Sequence, residues 1–358
     1  WIPGQERLGI CQRVAAVFMI LAAWYGATAE GGVDFATIFS LYSVSVAFYM
    51  PTIALSNSVA YTALRQAGMD TVKAFPPIRV FGTVGFIVTM WFVDVMGFQT
   101  NHWQFVTSGV LGVVLFLYSF TLPHCPIAKG DTHRSLSEAF GLQAFSLFRQ
   151  KQMALFFIFS MLLGVSLQIT NGYANPFISS FASQAEFADT FGVQHANILI
   201  SLSQISETLC ILLIPFSMKH FGIKNVMLIS MFAWVLRFGL FGVGDPGSGV
   251  WMFILSMIVY GVAFDFFNVS GSLFVDQTTS PEIRSSAQGL FMLMTNGVGG
   301  TIGVIAAQYI INAYTHGITV GDDFYTVGNW PVCWYIFSAY ALVVGVVFAI
   351  VFHPQKQK

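Results

Sequence analysis

The sequence predicts an all-α protein that crosses a membrane many times, and three observations support this. Charged residues make up 9% of the 358-residue chain, against roughly 25% in soluble domains. Hydrophobic residues reach 56%, and they occur in long runs. Lipid must therefore be the solvent for most of the chain. The net charge of −1 indicates no nucleic-acid partner, and the four scattered cysteines indicate no metal site.

Ten apolar runs are long enough to cross a bilayer, which takes about 20 residues in helical form. Within the ninth run, Gly299 and Gly303 form a GxxxG pair, which we expect to let two helices pack closely. We number the runs as spans one to ten in chain order. They lie near residues 9–29, 35–61, 77–98, 104–123, 153–181, 194–217, 225–244, 249–274, 286–313 and 331–352.

Basic residues occur in alternate connections between the spans. Arg65 and Lys73 follow span two, and Lys or Arg also follows spans four, six, eight and ten. The intervening connections carry acids or no charge, such as Glu30 and Asp34 after span one. Since cytoplasmic loops are enriched in Lys and Arg, this pattern predicts a multi-pass inner-membrane protein whose C-terminus faces the cytoplasm.

The connection 124–152 is the longest and most polar, and it ends in an amphipathic stretch that we expect at the membrane surface. It divides the chain into four spans in 1–123 and six spans in 153–358. Transporters of the major facilitator type have two six-helix halves joined by a cytoplasmic linker. Four plus six fits that plan if two N-terminal helices are absent, so we expect ten of twelve transmembrane helices here.

Charged residues inside the spans need a physical reason, because each costs about 2.5–3.5 kcal/mol at the bilayer centre. Glu207 lies in span six, Arg237 in span seven and Asp265 in span eight. Neither acid has a cation three or four residues away, so an ion pair within its own helix turn is excluded. Each carboxylate therefore serves either as an interhelical hydrogen-bonding group or as part of a functional site.

Polar and aromatic side chains recur at helical spacing in four of the spans. Residues three or four apart share one face of a helix, so each set forms a stripe. A single stripe would equally serve to join helices, but four together predict a common water-accessible interior. The stripes are Arg79, Thr83 and Phe86 in span three; Gln168 and Asn171 in span five; Gln204 and Glu207 in span six; and Tyr260, Phe264 and Asp265 in span eight.

The chemistry of the stripes indicates a ligand with both hydroxyl groups and a flat ring. Amides and carboxylates form paired hydrogen bonds with sugar hydroxyls and base edges. Tyr260, Phe264 and Phe86 offer flat surfaces for a ring. A carboxylate that burial deprives of water binds its proton more tightly, so Asp265 or Glu207 would be suited to carry a proton. The hypothesis is a nucleoside site coupled to a proton gradient.

Several long segments resemble the bacterial nucleoside:proton symporter family of the major facilitator superfamily, and the resemblance runs over nearly the whole chain. They include AYTALRQAGMD (60–70), FPPIRVFGTVGF (75–86), FFIFSMLLGVSLQITN (156–171), QHANILISLSQISETLCILLIPF (194–216) and SMIVYGVAFDFFNVSGSLFV (256–275).

The resemblance implies a twelve-helix fold, so the chain would begin just before the third helix. It also implies proton-driven uptake of purine and pyrimidine nucleosides by alternating access, without a cofactor and in a monomer. The nucleoside-binding residues it implies match the residues of the four stripes, with Asp265 as the proton-coupling group and Glu207 next. Those residues are Arg79, Thr83, Phe86, Gln168, Asn171, Gln204, Glu207, Tyr260, Phe264 and Asp265.

Three other interpretations remain open. In the first, the chain is a transporter of the same fold in which these residues bind another polar solute, such as a sugar. The chain would also be a nonfunctional fragment if the implied first two helices are absent. A polytopic membrane enzyme is disfavoured, because HExxH is absent and Glu207 has no histidine within a helical turn.

Overall fold

The computed structural model describes residues 3–29, 32–69, 71–124, 142–280, 283–321 and 323–353. The chain divides into two compact units, Trp1–Thr132 and His133–Lys358. Most of the predicted linker 124–152, and Lys356 and Lys358 at the C-terminus, lie outside the described residues. The predicted boundaries 1–123, 124–152 and 153–358 therefore stay a prediction.

The first unit contains four helices: α1 (Gly4–Thr28), α2 (Phe35–Gln66), α3 (Thr71–Val95) and α4 (Trp103–Ser119). Helix α1 packs against both α2 and α4. A Cβ atom added at Gly112 of α4 would lie 2.9 Å from the Cβ of Ala16, so a glycine is needed where these helices cross. Helix α1 is also joined to α2, where Gln12 Nε2 donates to Thr52 Oγ1 at 3.0 Å.

The connection before α2 is shaped by an aspartate cap. The Asp34 carboxylate accepts hydrogen bonds from the backbone N–H and the hydroxyl of Thr37, at 2.9 and 2.7 Å. These bonds stabilise the charged form, so they lower the pKa of Asp34 below its usual value. Asp34, which the sequence analysis assigned to a connection without basic residues, therefore also caps the start of α2.

The second unit is a bundle of long helices around α5. Its elements are a 3-10 helix (Leu142–Arg149), α5 (Lys151–Ser180), a short 3-10 turn (Phe181–Ser183), α6 (Phe191–Gln194), α7 (Ala196–Val243), α8 (Val250–Thr278), α9 (Arg284–Met292), a π-helical segment (Leu293–Gly299), α10 (Gly300–Tyr314), β1 (Thr315–Val320), β2 (Asp323–Gly328) and α11 (Trp330–Val351).

Helix α7 is two helices joined at a sharp bend. Gly222 has φ 72° and ψ 164°, a conformation that interrupts the helix and favours glycine. The helix contains two apolar segments, Ala196–Ile214 and Phe216–Val243, and Gly222 lies near the start of the second. They correspond to predicted spans six and seven, and the bend falls in the basic connection between Lys219 and Lys224.

Eight helices in the described part of the chain are long and apolar enough to cross a membrane. The apolar parts of two further helices, Val80–Val95 and Trp103–Ser119, are shorter, and they coincide with predicted spans three and four. The structure thus confirms a polytopic helical membrane protein, whereas the count of ten spans is not confirmed.

An antiparallel hairpin connects α10 to α11, where the sequence analysis expected only an acidic connection. Thr315 pairs with Gly328 at the open end, and Val320 pairs with Asp323 beside the turn. Gly321 adopts φ 64° in that turn, which glycine tolerates without strain. The β-branched run from Ile318 to Val320, followed by Gly321, is a sequence signal for this hairpin.

Helix α5 meets the π-helical segment and α10 through three glycines, which we call the glycine seam: Gly164, Gly299 and Gly303. A Cβ at Gly164 would collide with the carbonyl oxygen of Thr295, and one at Gly299 with that of Met161. At Gly303 the Val165 carbonyl oxygen would lie 2.8 Å from the added atom. The structure therefore confirms that the GxxxG pair serves close helix packing.

Aromatic rings fill the interior of the second unit at one end of α5. The ring of Phe177 lies 5.3 Å from Trp334, 5.5 Å from Phe253 and 5.7 Å from Phe241. All four side chains are at most 1% exposed. Helices α5, α7, α8 and α11 are thereby held together around one core, which fixes the polar residues described next.

Candidate functional site

The α8 stripe forms an aromatic face beside a buried acid. Tyr260 and Phe264 are four residues apart, and their rings stack with centroids 5.8 Å apart and an interplanar angle of 14°. Tyr260 and Asp265 are buried, at 5% and 2% exposure, whereas Phe264 is half-buried. One edge of a flat surface is thus accessible next to the carboxylate.

Close contact between α7 and α8 brings Glu207 to the same place. A Cβ at Gly261 of α8 would lie 2.6 Å from the backbone of Ser206, so only glycine permits this approach. The Ser206 hydroxyl also donates to the carbonyl oxygen of Ile258. Glu207 and Asp265 both interact electrostatically with Tyr260. Both predicted carboxylates therefore lie within electrostatic range of one aromatic side chain.

The predicted amides lie on neighbouring helices of the same unit. Asn171 Nδ2 donates to Gln168 Oε1 at 3.4 Å, and Asn171 is exposed. The Gln168 side chain packs against Gly300, where an added Cβ would lie 3.1 Å from its Cγ. Gln204 is half-buried on α7, where its backbone carbonyl accepts from Thr208 Oγ1 at 3.0 Å.

Arg237 supports this region, although the sequence analysis did not include it in the site. It is 2% exposed, and its Nε donates to Thr170 Oγ1 of α5 at 2.9 Å. Its Nη1 donates to the carbonyl oxygen of Ser256 on α8 at 2.7 Å. The guanidinium also lies 4.6 Å from the centroid of the Tyr260 ring. One buried cation therefore joins three helices at the aromatic face.

A small pocket opens beside Phe264, between α5, α7, α8 and the π-helical segment. Its volume of about 30 Å³ is enough for one ordered water or a single polar ligand group. Sequence reasoning found only one of the residues that line it, Phe264. The lining comprises Leu163, Gly164, Leu167, Trp234, Ala263, Phe264, Phe267, Asn268, Thr295 and Asn296.

The predicted residues of the first unit lie on α3. Thr83 is half-buried and Phe86 is 54% exposed. The backbone of Arg79 is helical, and its side chain lies outside the described part of the structure. The expectation that these residues face one chamber with those of α5, α7 and α8 stays a prediction.

The described ranges contain no group of three or more His, Cys, Asp or Glu side chains arranged to hold a metal ion. The polar chemistry of the site consists instead of two carboxylates, several amides and an aromatic face inside a bundle of apolar helices. Ionisable and amide side chains inside apolar helices are typical of membrane transporters, in which they mark the path of the solute.

Comparison with known proteins identifies the kind of transporter. A family model described as "Nucleoside H+ symporter" matches residues 1–357, and the chain belongs to this family. Nucleoside permease NupG of Escherichia coli (strain K12) is 46% identical over 354 residues, which cover 98% of this chain and 81% of the permease. Xanthosine permease of the same strain is 46% identical over 363 residues, covering 100% and 83% of the two chains.

A solved structure agrees with these matches. The crystal structure of nucleoside transporter NupG, in an Asp→Ala variant, has a TM-score of 0.90 to this chain at 45% identity, covering 99% of this chain and 84% of the other. The family resemblance and the assignment as a transporter rather than an enzyme are confirmed. The matches do not by themselves support two further helices before Trp1, and that expectation stays a prediction.

Proposed function

We propose that this protein takes up purine and pyrimidine nucleosides together with protons across the bacterial inner membrane, by alternating access. The observation that carries the proposal is the stacked pair Tyr260–Phe264 with Glu207 and Asp265 beside it. A flat ring needs such a face, and a proton needs a carboxylate close to the solute. Membership of the nucleoside H+ symporter family supports both parts.

Each predicted residue has a role in this proposal. The aromatic face of Phe264 and Tyr260 stacks on the base, and Phe86 contributes a second ring from the first unit. The amides and Glu207 bind hydroxyl groups of the sugar or polar edges of the base. Asp265 carries the proton, and Glu207 assists it. The polar residues assigned to solute binding are Arg79, Thr83, Gln168, Asn171, Gln204 and Glu207.

The proposed topology follows from charge and family. The chain adopts the major facilitator fold, with a four-span part in 1–123, a linker in 124–152 and a six-span half in 153–358. Basic connections place the C-terminus in the cytoplasm. The proposal takes one chain as the working unit, as the family resemblance implies.

Uptake into whole cells tests the function directly. Cells that express this protein and lack other nucleoside transport should accumulate labelled uridine, and a protonophore should abolish the accumulation. Unlabelled purine and pyrimidine nucleosides should compete, whereas sugars should not. Competition by sugars alone would replace the nucleoside assignment with a sugar transporter, and uptake indifferent to the protonophore would remove proton coupling.

Replacing Phe264 with Ala should weaken binding of all nucleosides together. Stacking of a base on an aromatic ring is worth about 1–3 kcal/mol and tolerates every base, so we expect KM to rise roughly 5- to 150-fold for purines and pyrimidines alike. KM values for uridine and adenosine uptake give the measurement. Phe232→Ala on the apolar outer face of α7, where the ring is 43% exposed, is the matched control. A loss confined to one base would contradict the stacking role.

A further inference from the structure

The pocket beside Phe264 contains two amide side chains that the proposed nucleoside site does not use. Asn268 follows Phe264 by one helical turn, so Tyr260, Phe264 and Asn268 lie on one face of α8. Asn296 lies on the opposite wall, in the π-helical segment. Trp234 and Phe267 supply apolar walls between them.

The glycine seam determines where Asn296 lies. Because Gly164 has no side chain, the backbone of Thr295 packs directly against α5. Gly299 allows an equally close approach to the backbone of Met161. The segment between Leu293 and Gly299 is a π-helix, whose i→i+5 hydrogen bonds change the direction of its side chains relative to an α-helix. π-Helical turns occur frequently at functional sites. Both features bring Asn296 to the pocket.

The two amides have hydrogen-bonding capacity left for a ligand. For Asn268 the structure records no side-chain hydrogen bond to another described residue. The Asn296 side chain makes one contact of this kind, from Nδ2 to the weak acceptor Sδ of Met292 at 3.5 Å. Each amide offers a donor and an acceptor, so the pair accommodates an amino group or a carbonyl oxygen equally well.

We infer that this pocket receives the exocyclic group of the nucleobase while the ring stacks on Phe264, so that Asn268 and Asn296 read the base edge. The inference rests on the proposed function and adds the part of the nucleoside that each wall contacts. A volume of about 30 Å³ admits one amino group or oxygen and excludes the ring itself. Because each amide can both donate and accept a hydrogen bond, one site can bind bases that carry an amino group and bases that carry a carbonyl oxygen.

Nucleosides that lack the exocyclic group test this inference. Purine riboside is adenosine without its amino group, and 4-deoxyuridine is uridine without the corresponding oxygen. The parent protein should bind adenosine and uridine about 5-fold more tightly than these analogues, as expected for one hydrogen bond. In Asn268→Leu and Asn296→Leu the preference should disappear, with affinity for the analogues nearly unchanged. Competition against labelled uridine on the purified full chain measures both affinities.

The outcomes separate the inference from the proposed function. Asn312→Leu, an exposed residue of α10 outside the pocket, should keep the preference. Equal losses for a nucleoside and its analogue in the Asn268 and Asn296 variants would mean a structural role and overturn the inference. The same holds if the variants instead equalise uridine and 5′-deoxyuridine, because the pocket would then bind the sugar. If the parent protein bound no nucleoside, the proposed function itself would fail.

Discussion

Replacing Asp265 with Asn should abolish concentrative nucleoside uptake while exchange of bound nucleoside across the membrane partly survives. Asparagine matches the shape of aspartate but cannot release and rebind a proton. A proton crossing 100 mV supplies about 2.3 kcal/mol, which supports roughly 50-fold accumulation of an uncharged solute. We expect the ratio of internal to external uridine to fall to about 1 in Asp265→Asn, a complete loss of coupling.

The control is another buried aspartate of the same membrane protein. Asp94 at the end of α3 is 4% exposed, and its Oδ1 accepts a hydrogen bond from Gln99 Nε2 at 2.5 Å. Asn can accept the same bond, so Asp94→Asn should still accumulate uridine. Proton-dependent accumulation that persists in Asp265→Asn would reject this residue as the coupling group. Loss in Glu207→Gln together with persistence in Asp265→Asn would transfer the role to Glu207.

Replacing Arg237 with Met should lower the stability of the protein more than any other single change considered so far. The substitution removes two charge-assisted hydrogen bonds, to Thr170 and to the Ser256 carbonyl oxygen. At about 1.5 kcal/mol each, their loss destabilises the protein by roughly 3 kcal/mol. We expect Tm in detergent to fall by roughly 6–12 °C. Thermal unfolding of the purified protein measures the shift.

A conservative variant separates stability from positioning. Arg237→Lys keeps a buried positive charge but lacks the planar guanidinium group. The lysine ammonium therefore cannot donate hydrogen bonds to both Thr170 and Ser256 while lying over the Tyr260 ring. We expect this variant to recover part of the Tm lost in Arg237→Met, but to have a higher KM for uridine than the parent protein. Arg13→Met is the control. Arg13 is exposed, and its guanidinium lies over the ring of Phe116, 5.8 Å from the ring centroid. Unchanged Tm in Arg237→Met would contradict the supporting role of this residue.

The existence of most helices could be predicted from sequence, because a chain in lipid must satisfy its backbone hydrogen bonds internally, as an α-helix does. The basic connection at Lys219 and Lys224 even predicted the bend that the structure has at Gly222. Local deviations were harder to predict. The hairpin at Thr315–Val320 depends on a single glycine turn, and nothing in the periodicity of span nine indicates that Leu293–Gly299 is a π-helix.

The site was partly predictable for the same reason. Tyr260, Phe264 and Asp265 lie on one regular helix, so their spacing placed them together. Asn268 follows the same four-residue step and could have been added. Asn296 could not, since helical phase changes through the π-helical segment. Arg237 was visible as an intramembrane charge, but its partners Thr170 and Ser256 lie far away in sequence, and only tertiary structure brings them together.

The glycine seam has a mechanical consequence for turnover. At these positions main chain touches main chain, and backbone atoms have no rotamers with which to accommodate sliding. A side chain at Gly164, Gly299 or Gly303 would fall on a carbonyl oxygen of the facing helix, so these backbones fit together closely only with glycine at those points. We therefore expect α5 and α10 to keep their mutual register during transport, and any rearrangement between helices to occur at contacts made by side chains rather than by backbone.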